Sequence, residues 1–230
     1  MAQHIGYASG QAAGLSSRAG FITRTYLHLL GAVLTFVAIE VGLFATGMAA
    51  TIGGALSSTR WLMVMGAFIV VSWLATHTAH RATSKLAQYA ALGGFIVAQA
   101  IVFVPLLAIA NHFAPGAITS AAEVTVLGFI GLTAVVFTTR KDFSFLGAVL
   151  RWGLICAVVL IVAGLVFGFQ LGTFFSVAMV ALAGGAILYD TSNVLHHYPE
   201  DRHVGAALQL FASVAMMFWY VLRIFLSSRR

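Results

Sequence analysis

The sequence predicts an all-α polytopic membrane protein, a bundle of seven transmembrane helices. Three observations carry that prediction. Of the 230 residues, 61% are hydrophobic and only 8% charged, with a mean hydropathy of +1.00. A soluble domain carries about 25% charged residues, and a soluble fold could not cover itself with so little polar surface. Seven apolar stretches reach the length of about 20 residues that a bilayer crossing needs. The connectors between them are short, so neighbouring stretches pack as antiparallel hairpins.

The elements follow in order. Residues 1–20 are rich in Gly, Ala and Ser and lack the apolar run of a signal peptide, so they read as a flexible tail. Residues 21–230 form a single transmembrane domain. Its first span, Leu27–Gly47, holds one charge, Glu40, and the second is Trp61–Ala79. The third, Leu86–Ala110, contains Pro105, which removes a backbone donor and favours a kink. In the fourth, Ile118–Thr138, Gly128 and Gly131 permit close helix packing, as do Gly164 and Gly168 around the end of the fifth, Phe145–Phe167. The fifth also carries Arg151 and Cys156, the single cysteine, which reads as a small core residue. Gly184 and Gly185 serve the same packing role in the sixth span, Thr173–Tyr189. The seventh, Ala206–Leu226, is long enough to cross, although Arg223, Arg229 and Arg230 near its end make a re-entrant course the alternative.

Lys and Arg concentrate on one side. Arg18 and Arg24 precede the first span, and Arg81, Lys85, Arg140, Lys141 and Arg202 occupy the even-numbered connectors. The other side has Arg60, and the connectors 111–117 and 168–172 have no Lys or Arg. The positive-inside rule therefore places the amino terminus in the cytoplasm. The net charge of +6 is topogenic and faces lipid headgroups; nucleic acid is not an expected partner.

Asp190 is the most informative residue. It ends the apolar run 181–189 and opens the polar patch Asp190-Thr191-Ser192-Asn193. A charge at membrane depth costs about 2.5–3.5 kcal/mol on insertion scales, so such residues are usually functional. An acid at a helix carboxyl end also meets the wrong pole of the macrodipole, which points to a partner cation. The candidates are His77, His80 and Arg81 at the end of the second span, and Arg151 in the fifth. Gln209, Ser213 and Tyr220 fall near one face of the seventh span and form, with Asp190, a polar line along which ions can pass. Asp190 is also the one metal ligand worth naming, and no resident cofactor is expected. Glu40 and Arg223 sit at similar depth and are expected to form a buried structural pair. Asp142, Glu200 and Asp201 read as solvated charges, and His196, His197 and His203 as surface histidines. No nucleophile–base pattern is visible, so the chain does not read as an enzyme.

Three stretches carry a family resemblance: Phe21–Leu34 (FITRTYLHLLGAVL), Thr139–Leu150 (TRKDFSFLGAVL), and Ile187–Phe225 with its LYDT, ALQLF and LRI pieces. Together they resemble the transmembrane Bax inhibitor motif family in its bacterial branch. The resemblance implies a central carboxyl-terminal helix wrapped by six others, and a pH-sensitive calcium leak gated by a pair of aspartates. One member of that pair falls on Asp190; at the other position this chain has Ser213, and Met216 replaces a family Asn. A single carboxylate cannot give the coupled titration of two, and it offers fewer oxygens to a hard divalent cation. Two functions follow: a cation leak, calcium being the implied permeant ion, gated at Asp190, or a non-transporting regulator that binds a membrane protease or another membrane protein. In either case the expected setting is the bacterial inner membrane.

Overall fold

A computed structural model describes the backbone of residues 2–56, 59–82 and 84–228, and the side chains of residues 17–56, 63–82 and 84–228. Arg60, Arg229 and Arg230, which bear on orientation in the sequence, have side chains outside the described residues.

The described residues form eight helices: α1 (Ala2–Ala45), α2 (Met48–Ala55), α3 (Thr59–Arg81), α4 (Lys85–Phe113), α5 (Ala117–Thr139), α6 (Leu146–Phe167), α7 (Thr173–His196) and α8 (His203–Ser227). All but α2 contain a stretch long and apolar enough to cross a membrane. The chain is an integral membrane protein, and large apolar side chains such as Trp73, Phe167 and Phe174 point outward from the bundle. In a bilayer that exposure is favourable, because lipid is as apolar as the core.

Two differences from the sequence reading stand out. The first helix runs back to Ala2 through the segment marked as a tail, and the short α2 occupies the first connector. Gly47, at φ 76, makes the break between α1 and α2, in a region open to glycine at no steric cost. The eight residues of α2 are too few to register as a span.

α8 is continuous over 25 residues, so the re-entrant alternative is set aside. It is the central helix, packing against α7, α1, α5, α4 and α3. The expectation that all six other spans wrap it is corrected at α6, which leans on α7 and reaches α8 through a small cluster of Ala157, Met179 and Tyr220. α6 is apolar on nearly every face, so lipid can cover what α8 does not.

Small residues set the spacing. A Cβ on Gly205 would meet the Ala79 carbonyl oxygen at 2.9 Å, which brings α8 and α3 into backbone contact. The Met217 sulfur packs 3.3 Å from where a Gly128 Cβ would be, and the Met217 methyl 3.7 Å from that of Gly184. Gly131 has open space instead, and Gly168 closes α6 with φ 73, so these two do not serve the packing role expected of them.

One end of the bundle is fastened by basic side chains. The Arg18 guanidinium donates to the carbonyls of Val194 at 2.9 Å, Leu195 at 3.2 Å and Tyr198 at 2.5 Å, satisfying the orphan acceptors at the end of α7. Arg202 donates to the Ala82 carbonyl at 2.6 Å, and Lys85 to that of Asp201. These bonds hold the α3–α4 and α7–α8 connectors together beside the polar site.

Candidate functional site

Asp190 lies within the last two turns of α7 and is 2% exposed. Ser213 of α8, also buried, donates its hydroxyl to Asp190 Oδ2 at 2.6 Å. Such a short bond fits a charge-assisted contact from hydroxyl to carboxylate. It joins the two last helices across their interface.

Asp190 forms part of the lining of a cleft of about 510 Å³ at the basic end of the bundle. Gln209, Asn193 and Tyr198 line the same cleft, with His77, His80 and Arg81 at its α3 wall. The sequence therefore brings Asp190, Ser213, Gln209, His77, His80 and Arg81 into one region. It does not pair the acid with a cation: among the described residues no Lys, Arg or His nitrogen comes within 4.0 Å of a carboxylate oxygen of Asp190. Arg81 is exposed, its long stem carrying the charge to water. Arg151 is outside the cleft, exposed, and donates to the Gly147 carbonyl of its own helix at 3.1 Å. His77 stacks on Trp73 with ring centroids 5.3 Å apart.

Tyr198, a connector residue that no motif or periodicity singles out, lines the same cleft. Its hydroxyl is 2.8 Å from His80 Nε2, while His80 Nδ1 is 2.8 Å from the Thr76 carbonyl. A carbonyl only accepts, so Nδ1 carries the proton and Nε2 accepts from the phenol in the neutral ring. Burial, and then the charges of Asp190 and Tyr189, push the Tyr198 phenol well above its ordinary range, so it remains a donor. Its main-chain N–H is held by the Asn193 carbonyl at 2.9 Å.

Beside the cleft, Asp142 proves to be more than a solvated charge. It accepts from the Ser144 N–H at 2.9 Å and from Ser192 at 3.4 Å, and meets His197 Nε2 at 2.9 Å. Ser192 in turn accepts from the Phe143 N–H at 2.9 Å. The order is His–Asp–Ser with the carboxylate in the middle, so the Ser192 hydroxyl faces the carboxylate and not the imidazole; the group ties the α5–α6 connector to α7. His203, read from sequence as a surface histidine, is buried and meets the His28 ring edge-on, with centroids 4.9 Å apart.

The expected Glu40–Arg223 pair does not form. Glu40 is 6% exposed and neither carboxylate oxygen has a partner. Arg223 donates instead to the Leu171 carbonyl at 3.4 Å and sits 5.9 Å from the centre of the Tyr220 ring. Equal depth brought the two to the same level, but Arg223 turns toward the start of α7. Among the described residues there is no group of three His, Cys, Asp or Glu side chains able to surround a metal ion, so Asp190 stands as a lone carboxylate among neutral oxygens.

A family profile, "Inhibitor of apoptosis-promoting Bax1" (Bax1-I), matches residues 18–230. The chain belongs to this Bax inhibitor family. It is 37% identical over 111 residues to an uncharacterized protein of Pseudomonas aeruginosa, covering 47% of this chain and 49% of that one. It is 35% identical over 101 residues to the modulator of FtsH protease YccA of Escherichia coli K12, covering 44% and 46%. The match thus spans about half the length of these bacterial relatives. A longer alignment, 26% identical over 223 residues, covers 92% of this chain and 87% of the Golgi anti-apoptotic protein of Vaccinia virus strain Lister.

Proposed function

We propose that this Bax inhibitor family protein is a cation leak gated at the Asp190–Ser213 contact. The observation that carries the reading is a buried carboxylate in the lining of a polar cleft, held by a hydroxyl and, among the described residues, by no cation within 4.0 Å. In the closed state Ser213 occupies the carboxylate oxygen that a cation would take. Passage requires α7 and α8 to part at this point, after which Asp190 supplies the charge, and Ser213, Gln209 and Asn193 supply neutral oxygens. Calcium, which takes six to eight oxygen ligands, is the permeant ion that the resemblance implies. One carboxylate gives a weak site, and weak binding suits a leak, because the ion must also leave. A proton on Asp190 removes the charge that draws the cation, so flux depends on pH.

The test is calcium release from loaded vesicles containing the full chain, at pH 6 and pH 8. Flux above that of empty vesicles, altered in size or pH dependence by D190N, is the expected result. Flux equal to empty vesicles at both values overturns the reading. A second reading, a non-transporting regulator of a membrane protease, draws on the E. coli relative named as a modulator of FtsH. Co-purification of a membrane protease by wild type and D190N alike, with no flux from either, would favour it. Removing residues 2–16 tests whether the amino-terminal segment makes that contact while leaving Arg18 on α7; unchanged co-purification excludes it. Both readings place the protein in a bacterial inner membrane with its basic end toward the cytoplasm, which reporter fusions at each end would check.

A further inference from the structure

At the opposite end of the bundle, about 25 Å from Asp190 along α7 at about 1.5 Å per residue, is a second cavity of about 410 Å³. Its chemistry is the reverse of the first. It holds a cation, Arg223, whose one hydrogen bond among the described residues is the long contact to the Leu171 carbonyl. A guanidinium has five N–H donors, and among the described residues no carboxylate comes within 4.0 Å of this one. An unpaired cation at this depth is costly unless a counter-charge meets it.

Two further features face the same space. The first turn of α7 begins there at Gly172 and Thr173, with no side-chain cap on its N–H groups. A Cβ on Gly172 would meet nothing within 4 Å, so the approach to those groups is open. One turn further in, Ser176 is 3% exposed and lines the cavity, and its hydroxyl makes no hydrogen bond among the described residues. A helix start, a buried free hydroxyl and an unpaired guanidinium converging on one cavity suit an oxyanion, since helix N–H groups and the guanidinium fork both donate to phosphate. The walls add the second half of the ligand. Ile109 and Phe113 of α4 line the cavity and are outward-facing, Phe113 at 72% exposure, continuous with the lipid-facing side of the bundle.

We infer that this cavity binds the phosphate of an anionic phospholipid, with Arg223, Ser176 and the start of α7 on the headgroup and its acyl chains along Ile109 and Phe113. Native mass spectrometry of the full chain, extracted from vesicles of equal phosphatidylglycerol and phosphatidylcholine, tests it. Wild type retains one phosphatidylglycerol in preference to phosphatidylcholine. R223Q loses that retention about tenfold or more, as expected for charge-assisted bonds, and S176V loses it severalfold with Arg223 intact. Circular dichroism establishes that each variant is folded; should R223Q fail to assemble, S176V carries the test. Displacement of the lipid by inorganic phosphate supports the headgroup contact. Equal retention in wild type and variants, equal retention of both lipids, or inorganic phosphate bound by a chain that retains no lipid overturns the assignment.

Discussion

The contact between Gly205 and Ala79 gives the sharpest prediction, because it links packing to the proposed gate. In G205A the new Cβ meets the Ala79 carbonyl oxygen at 2.9 Å. Carbon and carbonyl oxygen normally approach to about 3.3–3.6 Å, so α3 and α8 must separate by about 0.4 Å or more. The obstacle is main chain and has no rotamer to yield. Overpacking of this kind costs about 1–3 kcal/mol, and in a chain of this size each kcal/mol moves Tm by about 2–4 °C. The expected fall is therefore about 2–12 °C by thermal unfolding in detergent. α3 carries His77 and His80 and α8 carries Gln209, on facing walls of the cleft, so the same displacement widens it and raises calcium release from vesicles. G131A is the control: its Cβ would meet nothing within 4 Å, and alanine is the better helix former by about 1 kcal/mol. A G205A protein whose Tm does not fall below wild type and whose flux equals that of G131A would refute the argument.

Three other outcomes are expected. Y198F removes the donor to His80 Nε2, a bond of about 0.5–1.5 kcal/mol net, and speeds calcium release by about two- to twelvefold; an unchanged rate removes Tyr198 from the gate. R18Q strips three bonds from the end of α7 and lowers Tm by about 3–6 °C, taking about 1.5 kcal/mol for a half-exposed charged donor; R18K does not restore it, because an ammonium lacks the fork that reaches three carbonyls. Asp142 is held at about 2, below its ordinary 3.8, first by the Ser144 N–H and then by His197. A depressed carboxyl stabilises the folded form above its unfolded pKa and loses that contribution as pH falls through the folded one. Protection of residues 140–146 against hydrogen exchange, taken relative to the intrinsic amide rate, accordingly falls between about pH 4 and pH 2 in wild type, whereas D142N is weakly protected throughout.

The seven spans were legible because a bilayer demands long apolar runs, and such runs survive any packing detail. The meeting of Asp190 with Ser213 was legible too, since the family resemblance puts them at the two positions of its paired aspartates. What failed were the cation pairings. Sequence fixes how deep a residue sits along its helix, but the rotation of that helix about its axis depends on which small residues touch, such as Gly205 on Ala79 and Gly128 on Met217. Glu40 and Arg223 share a depth and face different neighbours, and Arg151 satisfies itself on its own helix. The roles of Tyr198 and Asp142 were hidden in short connectors, where no periodicity marks which side chains turn inward.

The Arg18 clasp has a consequence for biogenesis. It joins residues 176 to 180 positions apart, so Arg18 leaves the ribosome well before its partner carbonyls and waits for them before its bonds can close. Until then the nascent helices are threaded into lipid without their final fastening, and the slow step of assembly belongs to the arrival of the terminal hairpin. Products cut short before that hairpin leave the bundle unsealed at its basic end and become ready substrates for membrane quality control.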